Sequence, residues 1–225
     1  MNSLRHPDVT AVLERLFRQA EATDAPYLAE LLAGFGPGVD PLAGLLAAEA
    51  RDYRSVYHDA VDNFLCVSAD FGRLLYLLGC GCRASRVVEF GTSFGVSTIH
   101  LACAVRDSGG GTVISTELEP TKAARAQQNL AAAGLAELVD IRVGDALDTL
   151  RGGVGGPVDL VHLDGAFSLY LPVLRLLEPH LRPHALVIAE NGTAGYLDYV
   201  RESGNGYVTV TLDADRGNEL SVFTK

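Results

Sequence analysis

The stretch Glu89-Phe90-Gly91-Thr92-Ser93-Phe94-Gly95 decides how the chain is read. It follows a short β-branched run, Val87-Val88, and precedes a segment with helical spacing. An apolar strand, a glycine-bearing turn and a helix in that order open a ligand-binding strand–helix unit. Glycines at 91 and 95 let the backbone approach a ligand closely, and the helix that starts near Gly95 aims its free amides at the turn. A dinucleotide site would carry Gly-x-Gly-x-x-Gly, whereas this turn has Gly-x-x-x-Gly with Thr92 and Ser93 inside it.

The charge at the turn separates the two readings. Glu89 stands directly before it, where a carboxylate opposes a pyrophosphate but attracts the ammonium and sulfonium of S-adenosylmethionine. Working outward, the run Thr112 to Thr116 predicts a second strand ending at Glu117, whose carboxylate can accept both hydroxyls of a ribose. Gly144-Asp145-Ala146 follows a third strand, Val139 to Val143, where an adenine edge would lie; Asp145 is equally suited to cap the next helix. The runs Val158 to Leu163 and Ala185 to Ala189 predict a fourth and a fifth strand.

Helical patterns fall between these strands at about 95–106, 120–133, 145–150 and 170–179. Alternation of this kind predicts an α/β fold with a mostly parallel, Rossmann-like sheet covered by helices on both faces. At the end, Tyr207 to Leu212 and Glu219 to Thr224 flank the turn-forming stretch Asp213 to Asn218. That predicts a reversal, one antiparallel strand and seven strands in all.

Residues 1–82 read differently. Val9, Val12, Leu13, Leu16, Phe17 and Ala20 form a helical stripe. Pro26 is expected to open a second helical segment, Gly34 to Gly38 to break it, Pro41 to start a helix reaching about Phe64, and Ser68 to Leu78 to form another with Leu74, Leu75, Leu77 and Leu78 buried. These helices are taken as an N-terminal appendage, 1–82, that does not fold independently of an S-adenosylmethionine-binding domain at 83–225. Their apolar faces need cover, which leaves room for a homodimer.

Composition narrows the partners. The formal net charge is −10, without a Lys/Arg cluster, so nucleic acid is not expected and a small-molecule substrate is. No apolar run approaches the ~20 residues that span a bilayer, and Met1 to Asp8 shows no signal-like apolar region. No membrane association and a cytoplasmic location are therefore expected. The four cysteines, 66, 80, 82 and 103, lack the spacing of a zinc site and read as reduced thiols.

Taken together, Val87 to Ile99, Ser115 to Pro120, Gly144-Asp145, Val158 to Leu174 and Leu186 to Asn191 resemble the class I methyltransferases, and among them the catechol and caffeoyl-CoA O-methyltransferase family. The resemblance covers about residues 60 to 225. It implies S-adenosylmethionine as cofactor and O-methylation of a small molecule by direct in-line transfer. Glu89, Gly91 and Ser97 would hold the methionine end, with Ser93 lining the same turn and a backbone group near Val67 touching it. Glu117 would bind ribose, and Asp145 with Ala146 would face adenine. Asp164, Glu190 and Asn191 match the family's ligands to a divalent metal such as Mg²⁺, and Asp164 would lie closest to the transferred methyl.

Two positions depart from that pattern. The family usually carries a base lysine three residues after the first metal-binding Asp; here Phe167 stands there, and it cannot move a proton. The family usually has Asp where this chain has Glu190, one methylene longer, against the strict geometry of Mg²⁺. Glu190-Asn191 also reads as a polar loop after a strand. His58 on the appendage is a candidate base, with a surface position as its ordinary reading. His162 and Tyr170 read as buried structural groups or pocket walls. The missing lysine motivates one rival, a non-methylating cyclisation or rearrangement; a second is a silent binding subunit, against which Glu89 and Glu117 argue, and a third is a nicotinamide dehydrogenase, which the glycine turn alone would permit but Glu89 does not.

Overall fold

In the computed structural model, which describes residues 2–34, 38, 40–213 and 217–225, the central strand β1 runs Arg86–Phe90. Val87, Val88, Glu89 and Phe90 are all buried, as a strand covered on both faces requires. Around it lie β2 (Thr112–Glu117), β3 (Val139–Val143), β4 (Val158–Leu163), β5 (Leu181–Ala189), β6 (Tyr207–Asp213) and β7 (Asn218–Phe223), in the order β3-β2-β1-β4-β5-β7-β6. Only β7 runs against its neighbours, pairing antiparallel with both β5 and β6. The reversal predicted between β6 and β7 is present, although Ala214, Asp215 and Arg216 lie outside the described residues.

The strand order changes direction between β1 and β4, since β2 and β3 lie on one side and β4 and β5 on the other. Such a switch point opens a crevice at the carboxyl ends of the strands. Register sets what faces what: Glu89 pairs with Ser115 on one side and with His162 on the other, so the three occupy one row across the sheet.

Helices cover both faces. One face carries α1 (Pro7–Gly34), α3 (Ala69–Gly81), α4 (Val96–Asp107) and α5 (Pro120–Ala132), whose Leu16, Leu75, Ile99 and Leu130 share a core with Val87 and Val113. The other carries α6 (Ala146–Thr149), α7 (Tyr170–Leu177) and α8 (Ala194–Arg201), with Val173, Leu177 and Val200 against Val88 and Val161. The remaining helix, α2 (Pro41–Asp59), is tied to the crevice end of the sheet by side chains described below.

The appendage departs from expectation at four places. α1 continues through Pro26 instead of breaking there. The Asp24 carboxylate accepts from the backbone amides of Phe64 at 2.7 Å and Leu65 at 2.8 Å, and this tertiary tie outweighs a propensity that costs one helical hydrogen bond. The break expected at Gly34 to Gly38 falls mostly on residues outside the description, although α1 does end at Gly34.

α2 ends at Asp59, short of Phe64, and is kinked at Asp52, whose side chain accepts from the Ser55 amide and recaps the second half. In α3, Leu75 is buried, Leu74 and Leu78 are half-buried and Leu77 is 63% exposed, because Phe71, Gly72, Leu75 and Gly79 form the inward face. A Cβ on Gly72 would stand 2.6 Å from the His100 ring, and one on Gly79 would stand 2.7 Å from Ala104. α8 was not predicted; its Tyr196 and Val200 are too few to announce a helical stripe.

Candidate active site

The turn after β1 is shaped by two backbone demands. Gly91 has φ +105°, and a Cβ there would overlap the Asp164 carbonyl at the end of β4. Gly95 caps α4 in the left-handed conformation, leaving the first-turn amides of α4 pointed at the turn. Ser93, also left-handed at φ 47°, is held by its hydroxyl to the Phe64 carbonyl at 2.6 Å and by its amide to Glu117 at 2.6 Å. The turn is thus tied both to β2 and to the loop after α2.

A crevice opens beside this turn. Its walls include Gly91, Ser93, Ser97, Glu117, Asp145, Ala146 and Asp164, which the fold brings together from β1, α4, β2, α6 and β4. Glu117 accepts from the amides of Ser93 and Glu119, and burial raises its pKa even with Lys122 nearby. Asp145 both caps α6 through the Leu147 amide at 2.9 Å and receives Tyr53 and Arg54 from α2, the latter at 2.6 Å. Its burial alone would raise its pKa, but these hydrogen bonds prevail and hold it below the usual carboxylate range.

Three residues named from the sequence line neither this crevice nor the cavity beside it. Glu89 is fully buried behind its wall, where its carboxylate accepts from Thr98 Oγ1 at 2.5 Å and Ser115 Oγ at 2.6 Å and lies 3.4 Å from His162 Nδ1. Its row across the sheet, with Ser115 and His162, keeps it there. Val67 is packed in the core, and its neighbours Leu65 and Cys66 are the ones that reach the crevice. His58 is exposed on α2 and sits 3.2 Å from Glu119, outside the linings of this crevice and the next.

A second cavity of about 340 Å³ adjoins the first. Tyr27, Leu28 and Leu31 of α1 and Leu45, Val56 and Tyr57 of α2 form apolar walls, and Asp164, Phe167, Glu190 and Asn191 form the other side. Tyr57, Leu65, Cys66, Asp164 and Gly165 line both spaces. The Cys66 thiol is pushed up to about 12 by burial and by the charges of Asp24 and Asp164, so it is inert as a nucleophile.

The strand ends hold the polar groups of this cavity. Asp164 and Glu190 donate their amides to the Phe90 and Leu163 carbonyls, and Asn191, at φ 53°, donates its amide to the Asn218 side chain. Asp164 and Glu190 are hydrogen-bonded side chain to side chain; burial first, then the charges of Glu190 and Glu89, raise Asp164 well above the carboxylate range. Among the described residues no cluster of three or more His, Cys, Asp and Glu side chains suits a metal. Two adjoining carboxylates and the Asn191 amide, all on one cavity wall, nevertheless form a hard oxygen donor set of the kind Mg²⁺ takes.

A methyltransferase-domain family profile matches residues 88–191. A catechol O-methyltransferase of Mycobacterium tuberculosis is 35% identical over 170 residues, which cover 75% of this chain and 71% of that one. The chain belongs to the catechol O-methyltransferase family. This methyltransferase is also similar to a catechol O-methyltransferase of Niastella koreensis, 36% identical over 56% of this chain and 58% of that one. Its fold matches the O-methyltransferase TomG from Streptomyces achromogenes, solved in complex with SAM, at TM-score 0.63 and 28% identity over 80% of this chain and 90% of that one. As a member of the family it is a class I S-adenosylmethionine-dependent O-methyltransferase.

Sequence reasoning offered His58 from α2 but missed the residues of that helix that reach this methyltransferase's site. Tyr53 and Tyr57 line the crevice, and Glu49 is 2% exposed although charged. A signal was present: Glu49 lies four residues after Leu45, on the same helical face, so an acid stands within a partly apolar stripe.

Proposed function

We propose that this methyltransferase transfers a methyl group from S-adenosylmethionine to a hydroxyl of a small, largely apolar aromatic acceptor of the catechol class. The observation that carries this reading is the junction of the two spaces at Tyr57, Leu65, Cys66, Asp164 and Gly165. A donor in the first and an acceptor in the second would meet there, which suits in-line transfer by proximity and orientation. S-adenosylmethionine supplies an already activated methyl on its sulfonium.

The roles follow from position. Gly91, Ser93 and Ser97 take the methionine end at the turn, with the backbone beside Val67, and Glu89 favours the two cations from behind the wall. Glu117 receives the ribose, and Asp145 and Ala146 border the adenine. Asp164, Glu190 and Asn191 are the residues that would hold Mg²⁺, and the ion would polarise acceptor oxygens. His58 has no role in this reading, since it lies away from both linings.

Residues 1–82 act with 83–225 as one unit, because α1 and α3 share the core of β1. Exposed Leu28, Leu32 and Leu77 favour a homodimer. Four free thiols favour a reducing, cytoplasmic setting. No helix among the described residues is long and apolar enough to cross a membrane.

The test is S-adenosylhomocysteine formation with catechol as acceptor, followed by chromatography with mass detection. Equimolar methyl ether and S-adenosylhomocysteine are expected. Acceptor conversion without S-adenosylhomocysteine would favour a rearrangement instead, and no calorimetric affinity for S-adenosylmethionine would favour a silent subunit.

A further inference from the structure

Phe167 leaves the acceptor cavity without the lysine that the family places there, so the hydroxyl proton needs another destination. One lies just behind its wall. Glu49 of α2 is 2% exposed and accepts three hydrogen bonds: from the Ser168 amide at 2.7 Å, the Phe167 amide at 3.3 Å and the Tyr57 hydroxyl at 2.9 Å. Tyr57 in turn lines both cavities beside Asp164 and Gly165, its oxygen 3.4 Å from the Gly165 carbonyl. A phenol donating its one proton to Glu49 keeps lone-pair capacity to accept from a hydroxyl in the cavity. The other titratable groups acting on Tyr57 and its neighbour Tyr170 are Asp164, Glu190 and Tyr27.

We propose that Tyr57 and Glu49 form a proton relay that replaces the missing lysine, taking the acceptor's hydroxyl proton as the methyl is transferred. The inference rests on the methyl-transfer reading above. The acceptor O–H bond breaks and its proton passes to Tyr57 Oη, while the Tyr57 proton passes to Glu49 Oε1. The freed oxygen lone pair forms the new O–CH₃ bond, and the S–CH₃ bond breaks with its electrons left on sulfur. One sulfonium and one carboxylate become a neutral thioether and a carboxylic acid, so charge and protons balance. Tyr57 is the catalytic residue that would touch the acceptor. Glu49 accepts the proton through it and also positions the Gly165 to Ser168 loop by its two amide bonds.

Burial, Glu49 and Asp164 all raise the Tyr57 pKa, so the phenol holds its own proton at rest. That suits a relay, in which the ring oxygen passes a proton on, and argues against a free tyrosinate base.

The experiment uses two probes of matched shape: catechol, neutral at about pH 8, and 4-nitrocatechol, whose acidic hydroxyl is ionised there and needs no base. Tyr57→Phe keeps the ring and leaves both Glu49 bonds to the loop. Its kcat on catechol is expected to fall about a hundredfold or more, the usual range for general base catalysis. On 4-nitrocatechol the fall should stay below about tenfold, with S-adenosylmethionine affinity by calorimetry unchanged. Glu49→Gln should show the same contrast between acceptors. An equal loss on both probes would assign the pair a structural role and overturn the relay. Undiminished turnover of catechol in Tyr57→Phe would overturn it too. A wild-type enzyme that methylates neither probe would overturn the catechol-class reading and the relay with it.

Discussion

Thr98 Oγ1 donates to Glu89 Oε2 at 2.5 Å, a bond from the first turn of α4 to the last residues of β1 that is sealed from solvent on both sides. Glu89 is the acid that suggested a cationic ligand, yet its oxygens are spoken for inside the protein. The bond therefore stiffens the turn from behind. Thr98→Val keeps the shape and removes the donor, leaving a buried carboxylate short of one partner. Such a loss costs about 1–3 kcal/mol. Thermal denaturation should show that destabilisation, and calorimetry should show weaker S-adenosylmethionine binding. An unchanged melting temperature would mean that Ser115 alone satisfies the carboxylate.

Gly91→Ala should be more harmful than an ordinary glycine substitution. The position has φ +105°, and the new methyl would overlap the Asp164 carbonyl. Left-handed strain alone costs on the order of 1–3 kcal/mol, and relief of the overlap moves Asp164. Methyl-transfer activity is expected to fall more steeply than stability. Wild-type kcat in a stable Gly91→Ala protein would count against a tight junction between the turn and Asp164.

Stability should decline as pH drops below about 6.5, through His100. Burial first, then Arg73, lowers its pKa from the ordinary histidine value of 6.5 against the effect of its bond to the Val96 carbonyl. The folded pKa lies below the unfolded one, so the neutral ring's contribution is complete above 6.5 and is lost as pH falls through the folded value. Melting temperatures between about pH 7 and 5 would show this loss, ahead of ordinary exposed carboxylates, which titrate near 4. His100→Gln should flatten that window. An equal slope in the variant would place the sensitive group elsewhere.

Restoring the family's acid should help a metal. Glu190→Asp shortens the side chain by one methylene at the wall shared with Asp164 and Asn191. Octahedral Mg²⁺ tolerates misplaced oxygens poorly. Calorimetric titration of Mg²⁺ is expected to give tighter binding by about tenfold, ~1.4 kcal/mol. Weaker binding in Glu190→Asp would show that the cavity is built for the longer carboxylate.

A lysine at 167 should rescue the loss of Tyr57. Phe167 lines the acceptor cavity with Asp164, and its ring stands 5.7 Å from Tyr170 in an edge-on contact. The double variant Phe167→Lys/Tyr57→Phe should recover about tenfold or more of the catechol turnover lost in Tyr57→Phe. It should be less stable by about 0.5–1.5 kcal/mol, the worth of an aromatic pair. No recovery in a folded double variant would place the acceptor hydroxyl out of reach of position 167.

Much of the architecture was legible because it rests on local chemistry. Val158 to Leu163 reads as a fully covered strand from its apolar run, and β4 spans those residues. The turn at Gly91 and Gly95 is legible because only glycine takes such angles cheaply. Most of the crevice followed, since parallel strands deliver Glu117, Asp145 and Asp164 to one edge of a sheet. Asp145 caps α6, as one of its two readings has it, and also lines the crevice.

The appendage resisted, because its structure is decided by partners distant in sequence. Asp24 holds Phe64 and Leu65 across some forty residues and keeps α1 whole past Pro26, which no window around the proline reveals. The sequence by itself determined the alternation of strands and helices, the strand-end acids and the absence of the lysine at 167. Tertiary structure alone decided which acids face the crevice and which face inward. Glu89 turns into a row with Ser115 and His162, and Glu49, on a helix that looked like cover, is bonded to Tyr57, which lines both spaces. The physical reason is that a carboxylate's role depends on which donors surround it, and those donors are brought from separate elements by packing.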